Sequence, residues 1–315
     1  MSRLWLVTGG AGFIGSHIVD ELIKRGEKVR VLDNFSTGKM DNLYYVKDKI
    51  EIIKGDIRDF KIVKKAVKDV NYVIHQAAMR SVPKSVDDPK SANDNNITGT
   101  LNLLIASKEE KVKKFVYASS SSVYGECKKF PQKETFIPLP ISPYAVSKLA
   151  GEYYCVMFTK TYGLATVSLR YFNVFGPRQP AESMYSVVIP KFIELALSKK
   201  PLEIHWDGKQ SRDFTYVTNV VDANIKAALS NKVDGKVYNV ACGSSISLLE
   251  IVKLLEKFLG YKLEKKFMPK RVGDVRKTYA DISMIKKDLK WTPMIGFEEG
   301  LLKTLEWFKS NKERL

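Results

Sequence analysis

The chain has 315 residues, of which 44% are hydrophobic, and its 52 Lys and Arg against 35 Asp and Glu give a formal net charge of +17. This composition excludes a disordered chain, which combines few apolar residues with high charge. The sequence contains no run of about 18 uncharged apolar residues, so no transmembrane helix is expected. The length suits one large domain or two modest ones.

The positive charge by itself admits several interpretations. It fits a nucleic-acid binder, a protein at a membrane surface, a protein whose ligand is an anion, or a lysine-rich solvated surface. The basic residues are dispersed and form no long single-sign tail. This dispersal favours the solvated surface, without excluding an anionic ligand.

The three cysteines, Cys127, Cys155 and Cys242, are far apart and show no CxxC spacing. They predict reduced thiols in a cytoplasmic protein. The first residues lead directly into a strand-like segment, so no signal peptide is expected. The three histidines are equally scattered, and no metal site is predicted.

The first half of the chain alternates short apolar runs with helical patterns. Strands are predicted at 4–8, 29–32, 50–54, 72–77, 114–119 and 166–171, and helices at 13–25, 57–67, 97–107 and 143–161. This alternation is typical of an α/β protein with a parallel sheet and crossover helices, the Rossmann-type doubly wound architecture.

The second half is less regular and predicts a smaller α+β region. Helices are expected at 189–197, 221–229, 248–259, 284–289 and 297–308, and strands at 202–206 and 237–240. We expect one domain at 1–175, to which the chain returns around 213–242, and a second domain at 176–315.

A glycine-rich segment, residues 8–15, lies between the first predicted strand and the first predicted helix and has GxGxxG spacing. Glycines there permit a tight turn and a close backbone approach to a pyrophosphate, and the helix N-terminus donates N–H groups. Asp33 ends the second strand, where its carboxylate can accept hydrogen bonds from ribose hydroxyls. Because this carboxylate repels a 2′-phosphate, the pattern predicts NAD rather than NADP.

A possible acid–base pair follows in the predicted helix 143–161. Tyr144 and Lys148 are four residues apart, so their side chains share one helix face. A tyrosine ordinarily has a pKa of about 10, and a neighbouring ammonium group favours the phenolate. Such a base can take a proton from a sugar hydroxyl while hydride leaves the same carbon. A serine cluster, 119–122, ends the fifth strand and offers hydroxyls to the substrate oxygen and the tyrosine.

These motifs together resemble the extended short-chain dehydrogenase/reductases, and specifically their UDP-hexose 4-epimerase branch. The resemblance runs over nearly the full length and rests on TGGAGFIGS (8–16), GDIRD (55–59), HQAA (75–78), NNITGTLNLL (95–104), SSSSVYG (119–125), SPYAVSK (142–148), RYFNVFGPRQ (170–179), SRDFTYV (211–217) and RVGDVR (271–276). It implies an NAD-dependent C4 epimerase of UDP-hexoses. Residues 1–175 would then bind the dinucleotide, and residues 176–315 the sugar nucleotide.

The resemblance also implies which residues form the site. The catalytic residues are expected to be Ser120, Tyr144 and Lys148. The cofactor is expected to contact Gly9, Gly12, Phe13, Ile14, Asp33, Asn34, Asp56, Ile57, Ala77, Arg80, Asn96, Tyr144, Lys148 and Tyr171. The sugar nucleotide is expected to contact Ser120, Tyr144, Asn173, Val188, Arg212, Arg271, Asp274 and Thr278. The arginines in this set suit a diphosphate, because a guanidinium group makes bidentate charge-assisted hydrogen bonds.

In the mechanism that the resemblance implies, Tyr144 removes the C4-hydroxyl proton while hydride passes from C4 to NAD⁺. The 4-keto sugar then turns about its diphosphate link, and hydride returns to the opposite face. Related dehydratases carry an Asp-Glu pair where this chain has Ser121 and Ser122, which disfavours dehydration. A UDP-glucuronate 4-epimerase remains open, and the intact catalytic set disfavours a non-catalytic NAD-sensing protein.

Thr278 bears on the choice of sugar. In the family, a residue four positions after the aspartate of the GDxR motif gates the C2 substituent, and a small residue there admits an N-acetyl group. The resemblance therefore implies activity on UDP-glucose/UDP-galactose and also on UDP-GlcNAc/UDP-GalNAc. It further implies a homodimer formed through helices 97–107 and 143–161, with no nucleic-acid or membrane partner.

Overall fold

A computed structural model describes residues 3–180, 188–270 and 276–311. Over these residues the strands are β1 (Leu4–Thr8), β2 (Lys28–Asp33), β3 (Glu51–Lys54), β4 (Tyr72–His75), β5 (Lys114–Ser120), β6 (Thr166–Tyr171), β7 (Val174–Phe175), β8 (Leu202–His205), β9 (Ser211–Arg212), β10 (Thr215–Tyr216), β11 (Lys236–Val240), β12 (Ile246–Ser247) and β13 (Lys265–Met268). The helices are α1 (Phe13–Lys24), α2 (Phe60–Val67), α3 (Val82–Asp87), α4 (Pro89–Asn93), α5 (Gly99–Glu109), α6 (Pro143–Tyr162), α7 (Val188–Leu197), α8 (Val217–Leu229), α9 (Leu248–Leu259), α10 (Ser283–Leu289) and α11 (Phe297–Ser310).

A seven-stranded sheet with the order β11-β6-β5-β4-β1-β2-β3 forms the centre of the molecule. Every neighbouring pair in it is parallel. All six residues of β6 are buried, as are the first six of β5, because helices cover both faces of a parallel sheet. The prediction of a Rossmann-type doubly wound sheet is confirmed.

The strand order reverses direction at β1. The chain adds β2 and β3 on one side of β1 and then crosses to place β4, β5 and β6 on the other. In such sheets the connections at the carboxyl ends of the two central strands diverge and leave a crevice for a ligand. Here β1 and β4 flank that crevice, and Thr8 Oγ1 lies 2.7 Å from His75 Nδ1 across their ends.

Local capping sets where the helices begin. The helix predicted at 57–67 begins at Phe60 because the Asp59 carboxylate accepts the backbone N–H groups of Lys61 and Ile62. Ser142 caps α6 by accepting from Ala145 N at 3.2 Å. Ser247 and Glu250 form a reciprocal capping box at the start of α9.

The described residues form three hydrophobic clusters. One cluster packs α1 and α8 against one face of the sheet, and another packs α2, α5 and α6 against the other face. The last cluster lies among α7, α9 and α11, with Phe175 and Phe214 at its centre. Among the helices of the described residues, none is long and apolar enough to cross a bilayer.

Candidate active site

The glycine loop after β1 has no room for side chains at Gly9, Gly10 and Gly15; a Cβ on Gly10 would lie 2.7 Å from Val31 Cγ1. Gly9 has φ +67°, and a Cβ on it would lie 2.7 Å from Ala77 N. A Cβ on Gly15 would collide with the carbonyl oxygen of Gly9. Gly12 differs: a Cβ there would meet only Gly9 O, at 3.2 Å, so its surroundings are otherwise open. Gly12 is also the N-cap of α1 and supplies no side-chain cap.

This loop fits a dinucleotide diphosphate. Helix α1 begins with Phe13 and Ile14. No side chain at the N-cap accepts a hydrogen bond from its first backbone N–H groups. A phosphate group at a helix N-terminus satisfies such donors and interacts favourably with the helix dipole. The open space at Gly12 is where the backbone can approach the phosphate closely.

Asp33 is fixed against the glycine loop. Its Oδ2 accepts a hydrogen bond from Ala11 N at 2.9 Å, and its Oδ1 accepts one from Phe35 N at 2.8 Å. Burial raises the pKa of Asp33, while these two donors lower it. The carboxylate is therefore held rigidly at the end of β2, the position expected for a ribose contact.

The other residues predicted on the adenosine side lie beside it. Asn34 Nδ2 donates to Asp56 Oδ2 at 2.9 Å. Hydrogen bonds from Arg58 lower the pKa of Asp56 to about 2, so this carboxylate is charged at neutral pH. Ile57 is buried against Gly99, the first residue of α5.

The three predicted catalytic residues meet at the end of β5. Ser120 is the last residue of β5, and its side chain lies close enough to Tyr144 to lower the tyrosine pKa. Lys148 Nζ lies 6.0 Å from the Tyr144 ring centroid and donates to Ala118 O at 2.8 Å. Tyr144 and Lys148, four residues apart on α6, therefore lie together against the end of β5.

Burial governs the protonation of this cluster. Burial raises the pKa of Tyr144, and the Ser120 side chain and the charge of Arg80 offset part of that rise. Burial lowers the pKa of Lys148 to about 8. The phenol is therefore protonated in the protein alone, and further positive charge beside it would favour the phenolate.

The loop that follows Ser120 is compact. Ser120 Oγ accepts hydrogen bonds from Ser122 N at 3.2 Å and Ser122 Oγ at 2.9 Å. A single 3-10 turn then runs over Ser121–Tyr124. Ser121 and Ser122 therefore stand beside Ser120, and neither supplies a carboxylate there.

Two predicted cofactor residues make their hydrogen bonds to the protein. Asn96 Nδ2 donates to Ser147 Oγ at 2.9 Å and to Met79 O at 3.0 Å, and its Oδ1 accepts from Met79 N. Tyr171 is buried, and its hydroxyl donates to Asn224 Oδ1 at 2.8 Å. Asn96 thereby joins the segment after β4, where Ala77 and Arg80 lie, to α6.

Three of the predicted sugar-nucleotide residues, Asn173, Arg212 and Thr278, lie at or beside β9. Asn173 Nδ2 donates to Asp213 O at 3.0 Å, and Thr278 N donates to Ser211 O at 3.1 Å. Arg212 lies between these two contacts, and its Nη1 donates to Ser211 O. Thr278 Oγ1 is buried without a hydrogen-bond partner among the described residues. Val188 is the first residue of α7, whereas Arg271 and Asp274 lie outside the described residues.

The chain matches the model of the NAD dependent epimerase/dehydratase family over residues 5–241. It belongs to this family. The predicted resemblance, the prediction of an enzyme of the epimerase type and the prediction of NAD as cofactor are confirmed.

Members of the epimerase/dehydratase family match nearly the whole chain. A UDP-glucose 4-epimerase from Mycolicibacterium smegmatis is 37% identical over 312 residues, covering 98% of this chain and 99% of that protein. A UDP-glucuronate 4-epimerase from Thermodesulfobacterium geofontis is 36% identical over 321 residues, covering 98% and 97%. The solved structure of a UDP-N-acetylglucosamine 4-epimerase from Methanobrevibacter ruminantium, in complex with UDP-N-acetylmuramic acid, has a TM-score of 0.94 at 44% identity and covers 98% and 99%. These relatives agree on UDP-sugars and differ in the sugar.

The sequence patterns did not indicate two buried carboxylates near the site, those of Asp213 and Glu152. The Asp213 carboxylate accepts hydrogen bonds from Cys242 N, Gly243 N and Ala280 N, at 2.8 to 3.2 Å. Glu152 lies on α6 two turns after Tyr144 and is 1% exposed. The sequence signal that could have indicated Glu152 was its spacing, which places it on the same helix face as Tyr144 and Lys148.

Proposed function

We propose that this protein epimerises UDP-hexoses at C4, interconverting UDP-glucose with UDP-galactose and UDP-GlcNAc with UDP-GalNAc. The observation that carries the proposal is the convergence of Ser120, Tyr144 and Lys148 at the end of β5. This edge of the sheet also carries the glycine loop, so a bound dinucleotide and a sugar can share it.

NAD, when bound, supplies an acceptor for the C4 hydride and returns that hydride to the sugar. The Tyr144 phenolate, formed when positive charge beside it lowers the pKa of the phenol, takes the proton from the C4 hydroxyl and gives it back at the end of the reaction. The Ser120 hydroxyl, which lies close to Tyr144, orients the sugar oxygen. Lys148, held by Ala118 O, stabilises the phenolate through its positive charge.

The sugar nucleotide is held by its diphosphate while the sugar turns. Arg212, with Arg271 as the second arginine of the sequence pattern, provides the positive charge that a diphosphate requires. Asn173 and Thr278 lie on either side of Arg212 through their contacts with 211–213. Anchoring the nucleotide rather than the sugar leaves either face of C4 free to reach the same base.

The small side chain of Thr278 supports the broader sugar range. A threonine leaves space that a tyrosine would fill, and its buried hydroxyl lacks a partner among the described residues. We therefore expect both plain and N-acetylated hexoses to react.

We further propose that the protein is a homodimer. Val86 on α3 and Val146 and Tyr153 on α6 are exposed apolar side chains, at 60%, 49% and 61%. Such side chains on neighbouring helices favour burial against a second copy.

The free thiols of the chain are consistent with a cytoplasmic location.

The test is a panel of three substrates. Purified protein is incubated separately with UDP-glucose, UDP-GlcNAc and UDP-glucuronate, without added NAD(P)H, and the C4 epimers are resolved by chromatography. We expect equilibrium mixtures from the first two and none from the uronate.

Each contrary result points to a specific error. Conversion of UDP-glucose alone contradicts the inference from Thr278. Conversion of UDP-glucuronate alone identifies the uronate epimerase instead. Absence of any epimer contradicts the proposed function.

A further inference from the structure

A buried ion pair lies behind the proposed catalytic residues, between α6 and β6. Arg170 Nε and Nη2 donate to the two carboxylate oxygens of Glu152 at 2.9 and 2.8 Å. The two side chains are only 4% and 2% exposed. A bidentate pair of this kind fixes both side chains in one geometry.

The pair is connected to the residues that precede Ser120. The Ser119 hydroxyl donates a hydrogen bond to Glu152 Oε1. One turn earlier on α6, Lys148 donates to Ala118 O. Helix α6 is thus attached to the two residues before Ser120, and Glu152 provides one of the two attachments.

The pair is also connected to the loop that follows Ser120. The Arg170 guanidinium carbon lies 4.7 Å from the centroid of the Tyr124 ring, within the range of a cation–π contact. The Tyr124 hydroxyl donates to Asn239 Oδ1 at 2.7 Å, and Asn239 Nδ2 donates to Gln132 O at 3.0 Å. The catalytic serine therefore has a contact of this network on each side.

We propose that Glu152 and Arg170 act as a positioning pair that sets Ser120 against Tyr144 and Lys148. The inference rests on the proposed function, since it assigns these residues a role in that reaction. Neither residue touches the reacting atoms; each acts through its neighbours.

Energetics favour positioning over simple stabilisation. Burying two charges costs several kcal/mol for each ion, and apolar replacement of a whole buried pair is often neutral or stabilising. Geometry, by contrast, matters strongly, because a displacement of about 1 Å near a reacting atom can lower the rate roughly 100-fold. The Glu152 charge also raises the pKa of Lys148 against the effect of burial, which helps keep the ammonium group charged.

The test replaces both members together. The double variant Glu152→Met/Arg170→Met removes both charges of the pair. Because the Glu152 charge raises the pKa of Lys148, kcat is measured as a pH profile, which separates a change in Lys148 protonation from a loss of positioning at every pH. Its matched control is Glu21→Met/Arg25→Met, which removes the exposed Glu–Arg pair on α1 whose atoms are 2.7 Å apart. We expect the first double variant to fold and retain NAD, with kcat roughly 10- to 100-fold lower and the KM for the UDP-sugar little changed. The control keeps the wild-type kcat.

A readout independent of turnover accompanies the kinetics. Amide hydrogen exchange of residues 119–125 should become faster in the Glu152/Arg170 double variant than in the wild type, and remain unchanged in the control. Arg170→Lys keeps one charge-assisted hydrogen bond and should recover part of kcat and part of the protection.

A folded double variant with wild-type kcat and wild-type exchange of 119–125 overturns the positioning role. A variant with lower thermal stability but unchanged kcat in the folded fraction also overturns it, because the pair would then be merely structural. If the wild-type protein converts no UDP-sugar, the proposed function fails, and the exchange of 119–125 alone decides whether the pair orders this loop.

Discussion

Tyr144 illustrates how neighbouring groups control the chemistry of a single residue. Burial alone raises its pKa and opposes the role of a base. The Ser120 side chain and the charge of Arg80 act in the opposite direction. Lys148, whose pKa burial lowers to about 8, adds a charge that depends on pH near neutrality. The protonation of Tyr144, and with it the role of base that we propose, is thus set by its surroundings.

Replacing Tyr144 with phenylalanine isolates the proton transfer. Tyr144→Phe removes the hydroxyl and preserves the ring, so the fold and NAD binding should be retained. General acid–base catalysis contributes roughly 100- to 10,000-fold, and we expect a loss of kcat of that order. The measurement is epimer formation with NAD content determined in parallel.

Tyr153→Phe is the matched control for this variant. Tyr153 lies on the same helix but is 61% exposed, so its substitution should leave kcat unchanged. Undiminished turnover in Tyr144→Phe would remove Tyr144 from the mechanism.

At the scale of elements, the glycine loop packs closely against the first turn of α1. Close packing excludes side chains at Gly9, Gly10 and Gly15, whereas a Cβ on Gly12 would meet only Gly9 O, at 3.2 Å, among the described residues. A substitution at Gly12 therefore tests whether a ligand approaches the backbone there, with less disturbance of the packing of the loop than at the other glycines. Packing in the fold therefore requires glycine at 9, 10 and 15, and we expect a bound phosphate to require it at 12.

Gly12→Ala should weaken NAD binding by about tenfold or more, equivalent to about 1.4 kcal/mol. The added methyl group occupies space that the phosphate would approach, and its only close neighbour in the protein is Gly9 O. The thermal unfolding midpoint should change little. NAD titration and thermal unfolding are the two measurements.

Gly296→Ala provides the comparison, because Gly296 is the N-cap of α11 and a Cβ there would meet nothing within 4 Å. It should leave both quantities unchanged. Wild-type NAD affinity in Gly12→Ala would show that the cofactor does not approach at this glycine.

On the scale of the whole molecule, the chain does not divide simply at one point. After β7 it enters the region of α7, yet α8 packs against the large sheet and β11 adds to it beside β6. We propose the domain division expected from the sequence, 1–175 with a return around 213–242. Asp213 stands at that return, and burial raises its pKa to about 7.

Acid should destabilise the whole fold through His75. Its ring lies between Thr8 Oγ1 and Thr100 Oγ1, at 2.7 and 3.0 Å, and burial lowers its pKa from 6.5 to about 3. Below pH 6.5 the unfolded chain binds a proton that the native protein does not. The free energy of unfolding should therefore fall by up to about 1.4 kcal/mol per pH unit through this group.

Denaturant unfolding from about pH 7 to about pH 4 measures the sum of such contributions, to which Asp213, with its raised pKa, contributes with the opposite sign; the difference between wild type and His75→Gln isolates the contribution of His75. His75→Gln should reduce the slope of the unfolding free energy against pH by the same amount, and substitution of the partly exposed His205 serves as the control. An identical slope in wild type and His75→Gln would show that His75 does not contribute to it.

The sequence by itself determined the order and type of the larger elements. Strands such as Leu4–Thr8 and helices such as Leu248–Leu259 were predicted with the bounds observed, because periodicity, caps and glycines are local signals. The short helices Val82–Asp87 and Pro89–Asn93 were not predicted, since they are shorter than the window in which periodicity is visible.

Motifs likewise indicated the family, the cofactor and the Tyr144–Lys148 pair, because their spacing is fixed along one segment. Tertiary structure decided what acts around them. The contacts of Glu152 with Ser119 and Arg170 join residues 33 and 18 positions apart, and β6 meets β11 only in the folded sheet. The pKa of a buried group depends on neighbours brought together by such contacts, and no local pattern encodes them.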